Sequence, residues 1–349
     1  MARGQTAASL ALLLALSVAA SPADDPVLYR FSVTTPEARQ WGFVDSTCAV
    51  VVKPTLEYAR EFREGMASFV QGGKVGYLDA TGKIVVPATY EETYDFSEGL
   101  AAVKSNGLWG FVDKAGRMAI APQFLDNPHL NEFHEGLANV QLRPSGLKWV
   151  LGPKVGFIDR TGRVVVEPQF PYGNHFSEGL ARVGGSGGDG YIDKTGAWVI
   201  KPQFSYAGDF VDGLAPVRLT SEGQHGYIDK TGKVVIAPQW EGNEEFKEGR
   251  AVVRTGASQR GMIDSAGRVV LPLEAQHIDD FSEGLAAVRR GGKVGFVDRE
   301  GKVVIAPRFD PPVAGSVRFQ RGFALVKLDG NREGLVDREG KTVCAIATP

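Results

Sequence analysis

The sequence predicts an all-β fold: a tandem array of about nine three-stranded β-meander units. Three observations predict it: one stretch recurs along the chain, a second motif alternates with it, and both carry turn chemistry between short apolar runs. The stretch "GYIDKTGKVVIAP", Gly226 to Pro238, has near copies in "GFVDKAGRMAIAP" from Gly110 and "GFVDREGKVVIAP" from Gly295. Its leading glycine returns as Gly42, Gly76, Gly110, Gly156, Gly190, Gly226, Gly261, Gly295 and Gly334, mostly 34 to 36 residues apart. Between the copies runs an F-x-E-G-L-A motif, starting at Phe62, Phe96, Phe133, Phe176, Phe210, Phe246, Phe281 and Phe319.

The unit from Phe281 to Pro307 shows how each element arises. "LAAV", "VGFVD" and "KVVIAP" are three β-rich runs of ordinary strand length, separated by the polar turns "RRGGK" and "REG". In D-x-x-G the aspartate can accept from amides two residues on, and the glycine reaches the left-handed conformation that closes the hairpin. This assigns a turn role to Asp45, Asp79, Asp113, Asp159, Asp193, Asp229, Asp264, Asp298 and Asp337. Cys48 stands in the glycine position of the first unit, where a positive φ would be costly. The proline closing the third run, such as Pro122 or Pro238, cannot donate to a ladder and is expected to end the strand. Aromatics after it, such as Phe124, Phe204 and Trp240, with the phenylalanine of the next F-x-E-G, are expected to pack unit against unit, because a lone meander is marginal.

Trp41-Gly42 and Trp109-Gly110 before "FVD", with the two recurring motifs, make the chain resemble the bacterial WG-repeat family. The tryptophan is kept only at these two places; Val75, Val155, Asp189, His225, Arg260, Val294 and Glu333 stand there elsewhere. The resemblance implies a β-repeat array with a binding or scaffolding role and no shared reaction.

The chain begins its repeats with "VLYRFSV" and ends them with "KTVCAIATP", so each end carries whole units and no strand is left over to complete a partner unit. The expectation is therefore an open, curved solenoid rather than a propeller-like toroid. Cys48 and Cys344 test it. An open stack of units about 10 Å apart separates its ends by tens of ångströms, whereas a disulfide needs Cα atoms within about 7 Å. The open array expects two buried or unpaired thiols; a Cys48–Cys344 bridge would argue for closure.

With 43% hydrophobic and 23% charged residues the chain is globular in composition, and a net charge of −2 leaves no basic excess for nucleic acid. Residues 1–20 have the order of a signal peptide: Arg3, an uncharged run from Ala7 to Ala20, then small residues. Cleavage is expected after Ala20, or as late as Ala23, leaving an exported array over 24–349 that is periplasmic or extracellular and has no transmembrane segment.

Reactive constellations are sparse. The repeated acids Glu64, Glu98, Glu135, Glu178, Asp212, Glu248 and Glu283 are equivalent positions, whereas glycoside hydrolysis needs one differentiated pair. The histidines His129, His134, His175, His225 and His277 show no metal-ligand spacing, and no phosphate-binding loop or nucleophile elbow occurs. No cofactor is expected. The most individual segment is the insertion at 143–154, where Arg143, Lys148 and Trp149 offer cations beside an aromatic face for a peptide or glycan, or fold onto their own neighbours. The functional expectation is an exported, non-catalytic binding scaffold for a protein, peptide or envelope polymer. The alternatives are a cell-wall-directed hydrolase using a carboxylate pair and a purely structural envelope component.

Overall fold

The computed structural model describes residues 27–34, 36, 38–126, 132–142, 153–256, 259–311, 316–328 and 332–346. Among them all regular structure is β-strand, and no helix is long and apolar enough to cross a membrane. The strands form nine small antiparallel sheets, numbered here as blades in chain order. Blade 1 contains Tyr29–Thr34, Arg39–Val44 and Val50–Leu56, and blade 2 contains Tyr58–Ala59, Met66–Gln71, Lys74–Asp79 and Ile84–Tyr90. The middle strands of blades 3 to 9 are Leu108–Asp113, Lys154–Asp159, Gly188–Ile192, His225–Asp229, Gln259–Asp264, Lys293–Asp298 and Glu333–Val336.

The sheets close into a ring, a nine-bladed β-propeller. At the seam, Tyr29, Phe31 and Val44 of blade 1 pack in one cluster with Leu335 and Ile346 of blade 9. The Tyr29 hydroxyl donates to Gln320 O at 2.7 Å, and a disulfide joins Cys48 to Cys344 with Cα atoms 5.9 Å apart. The expected open solenoid is thereby corrected. Among the described residues no strand is shared across the seam, but none is needed: blade 1 presents an apolar face to blade 9, and the disulfide fastens the contact.

Two further expectations change. Six of the nine sheets have a fourth strand, a short segment such as Tyr206–Ala207 drawn from the connector. The repeat proline does not end its strand either; Val234–Trp240 runs through Pro238 to the aromatic. The proline sits at a register shift opposite Gly226, where an added Cβ would lie 2.5 Å from Ile236 O and 2.8 Å from Pro238 N. The glycine thus admits a bulged backbone, and a bulge tolerates proline.

The core lies between blades. The aromatic of each G-[FY]-x-D stretch meets the phenylalanine of the next F-x-E-G edge-on or tilted: Phe43 with Phe62, Tyr77 with Phe96, Phe157 with Phe176, Tyr191 with Phe210, and Phe296 with Phe319, all with ring centroids 4.7 to 4.9 Å apart. Such pairs add to area burial. The last strand of each blade is the outer edge, with Val234, Val235, Val303 and Val304 exposed, and the connector side faces inward.

Candidate functional site

In an extended connector the residues flanking a buried side chain point the other way. Phe210 and its equivalents are buried between blades, Phe62 partly so, which sets the residue before each one on the inward side. That residue is Glu61, Asp95, Glu132, His175, Asp209, Glu245, Asp280 or Arg318: six acids, a histidine and an arginine, one from each of blades 2 to 9. A cavity of about 430 Å³ is lined by Arg63 of blade 2, Glu244 and Lys247 of blade 7, Asp279 and Asp280 of blade 8 and Arg318 of blade 9. Blades 2 and 7 are not neighbours, so this space lies inside the ring, at the mouth of its central channel.

The contacts continue from blade to blade. Arg60 lies 3.6 Å from Asp95, Glu132 lies 3.7 Å from His134, and the His134 and His175 rings stack at 4.1 Å. His175 Nε2 is 3.5 Å from Asp209 Oδ2, the Asp209 amide donates to Glu245 Oε1 at 3.0 Å, and Lys247 pairs with Asp280 at 3.0 Å. Arg318 pairs with Glu61.

The stretch His175–Asp209–Glu245 is electrostatically distinct. Burial raises the Asp209 carboxyl, although the Asn174 amide at 3.3 Å opposes it. Enclosure by the channel walls raises Glu245 as well, and the Asp209 charge adds to it. Burial, then the nearby His134, pushes His175 down to about 4. Among the described residues no lysine or arginine forms an ion pair with Asp209 or Glu245. The wall here can take up protons or accept hydrogen bonds from an incoming group. No cluster of histidine, cysteine or carboxylate ligands among the described residues is arranged to hold a metal ion.

The carboxylates of F-x-E-G work differently. Glu178 accepts from Gly213 N of the next blade at 3.1 Å and pairs with Lys230 at 2.9 Å; Glu64 accepts from Glu98 N and Gly99 N at 2.7 and 2.9 Å and pairs with Lys114 at 3.2 Å. Asp212, Glu248 and Glu283 cap the next turn likewise. The series stops at Arg321 of blade 9 because blade 1 has no F-x-E-G turn to cap.

The Oδ1 atoms of Asp79, Asp113, Asp159, Asp193, Asp229, Asp264, Asp298 and Asp337 each accept from the amides two and four residues on, as in Asp229 with Thr231 and Lys233 at 2.9 and 3.1 Å. Cys48 holds φ 62° in the place of the turn glycine. Arg143, Lys148 and Trp149 lie outside the described residues, as do 1–26. The channel residues escaped the sequence reading, although a signal exists: the position before each motif phenylalanine is charged or histidine in all eight copies.

Fold and site together define a propeller whose blades are held by conserved-in-copy turns and whose individuality lies in the connectors lining its channel. The chain matches the WG containing repeat over residues 41–74, 76–109, 109–143, 156–184, 190–221, 226–257, 261–293 and 295–331, and belongs to that family. Comparison with curated proteins finds no match. Among solved structures, the chain resembles a eukaryotic initiation factor with TM-score 0.57 at 10% identity, covering 91% of this chain and 95% of that one. AztD from Citrobacter koseri overlaps with TM-score 0.48 at 13% identity, covering 92% and 95%, and BamB from Moraxella catarrhalis with 0.42 at 14%, covering 90% and 95%. The first of these likenesses speaks for the fold alone.

Proposed function

We propose that this chain is an exported, non-catalytic binding protein whose channel mouth receives a protein, peptide or envelope polymer. The observation that carries the reading is a cavity at which charged connector residues of blades 2, 7, 8 and 9 meet, among them Arg63, Lys247, Asp280 and Arg318, while the repeated aspartates and glutamates are spent on turns and blade contacts. Export is supported by the charge and apolar order of residues 1–20 and by the disulfide, which suits an oxidising compartment. The Asp209–Glu245 pair favours a second reading, a hydrolase acting on envelope glycans, since both carboxyls are raised. Asp209 is buried and engaged by Asn174 and His175, which leaves it poorly placed to meet a substrate.

The test compares immobilised mature protein with a Glu245→Gln/Asp280→Asn variant against an envelope extract, and measures soluble fragments released from purified cell wall. The expected result is a captured species depleted by the variant, with no release. Equal capture by both forms removes the channel from consideration, and carboxylate-dependent release establishes the hydrolase. A variant lacking 143–154 assigns any remaining capture to Arg143, Lys148 and Trp149.

A further inference from the structure

One strand edge in the ring is filled differently from the rest. In blades 2 to 9 the first long strand is met on its inner side by main chain from the connector. In blade 3, Lys104 N donates to Glu92 O at 2.9 Å, while Glu91 N and Tyr94 N donate to Lys104 O and Ala102 O at 3.0 Å; in blade 8, Gln276 N and Asp279 N donate to Arg289 O and Ala287 O. The registers Phe31↔Gly42 and Val103↔Gly110 make Ser32 the counterpart of Lys104, and Arg30 that of Ala102. In blade 1 no described main chain meets this edge. Only a side chain does: Ser32 N donates to Glu333 Oε2 of blade 9 at 3.4 Å.

The edge opens on a cleft of about 90 Å³ at the seam, bordered by Arg30, Ser32, Arg39, Trp41, Lys327 and Glu333. Its charge is mostly positive. Arg30 stacks over Trp41 at 4.5 Å and donates to Ala59 O at 2.7 Å, and Arg39 donates to Thr34 Oγ1 at 3.4 Å. Two carboxylates line this cleft: Glu61, which pairs with Arg318, and Glu333, which burial raises.

We propose that the inner edge of Tyr29–Thr34 accepts an extended, acidic segment of a partner polypeptide as the missing strand of blade 1. Strand addition supplies main-chain hydrogen bonds, here to Ser32 N, Ser32 O and Arg30 O, and flanking pockets read the side chains. Acidic side chains match Arg39 and Lys327. The sequence itself offers no matching anchor: counting back from the equivalence of Phe31 and Phe69, it has Asp24 where blade 2 has Phe62. The cleft borders the channel, with Glu61 and Arg318 lining it, and the variants used below alter neither of them.

The test is fluorescence anisotropy of the mature chain with a labelled octapeptide alternating valine and glutamate, against one alternating valine and lysine. The acidic peptide is expected to bind at least about ten-fold tighter, to lose about ten-fold in Arg39→Glu/Lys327→Glu, and to weaken with salt. Ser32→Pro, checked for folding by circular dichroism, removes the amide and should abolish binding. Equal binding of both peptides, or indifference to the charge reversal, overturns the proposal. Capture of residues 21–26 by a p-benzoyl-phenylalanine crosslinker at position 39, without peptide, also overturns it by making the chain's own segment the occupant.

Discussion

The seam between blades 9 and 1 and the contact between blades 5 and 6, far around the ring, join similar apolar faces by different means. Between blades 5 and 6, Tyr191 meets Phe210 at 4.7 Å and donates to Gly208 O at 2.7 Å, Ser177 Oγ donates to Phe210 O at 2.5 Å, and Glu178 caps Gly213. All of these partners are supplied by the repeat itself. At the seam no F-x-E-G motif precedes blade 1 in the sequence, and Tyr29, Glu333 and the Cys48–Cys344 bridge join the blades instead. A repeat closes every interface except the one where it begins, and there a covalent bond replaces the motif.

Breaking that bond should have the largest effect. Cys48→Ser/Cys344→Ser opens a loop spanning 296 residues, for which chain entropy gives a loss of about 5 to 6 kcal/mol as an upper value. Hydrogen exchange should rise first in Tyr29–Thr34 and Thr342–Ala345 while blades 4 to 7 stay protected. Uniform loss of protection would show that the ring unfolds as one unit and that the seam is not its weak point.

Phe210→Ala probes the regular contact. The side chain is fully buried against Tyr191, so truncation should cost about 3 to 4 kcal/mol, measured by denaturant midpoint. A cost under about 1 kcal/mol would mean that the aromatic pairs fill space without fastening the blades.

The third test sets the buried channel wall of blade 5 against the seam, which has no histidine. His175 is held to about 4 in the folded state against an ordinary 6.5, through burial and then His134. Between these values the unfolded chain binds more protons than the native one, so stability should fall as pH drops from 6.5 to 4, by roughly 3 kcal/mol at most. Asp209 acts in the opposite sense: its raised carboxyl is protonated sooner in the native state, so its contribution is lost as pH rises through that folded value. The difference in melting temperature between wild type and His175→Asn isolates the histidine. Parallel profiles from pH 6.5 to 4 would contradict its burial as neutral imidazole.

Much of the blade was legible because its causes are local. Asp229 and Gly232 close a hairpin through bonds within five residues, and the recurring Phe210 position announces an apolar contact. Closure was not legible, because it depends on the angle between successive blades, which no residue in one repeat encodes. The fourth strand was missed for a related reason: Tyr206–Ala207 pairs over only two residues, and its sequence has no strand pattern of its own. The channel was obscured by attention to what recurs unchanged, when Glu61, His175, Asp209 and Arg318 share a position and differ in identity.

The smallest expected effect sharpens the seam itself. Cys48 holds a left-handed backbone, φ 62°, where the corresponding Gly82 and Gly232 hold φ 84° and 85°. An L-residue there costs on the order of 1 kcal/mol that glycine avoids. In the reduced ring this cost remains without the bond that offsets it. Cys48→Gly/Cys344→Ser should therefore be more stable than Cys48→Ser/Cys344→Ser by about 1 kcal/mol in denaturant midpoint, while both stay below the oxidised wild type. Should the two variants unfold together, the turn of blade 1 must relax once the cysteine is released, and the bridge would be imposing the left-handed backbone as well as joining the ends.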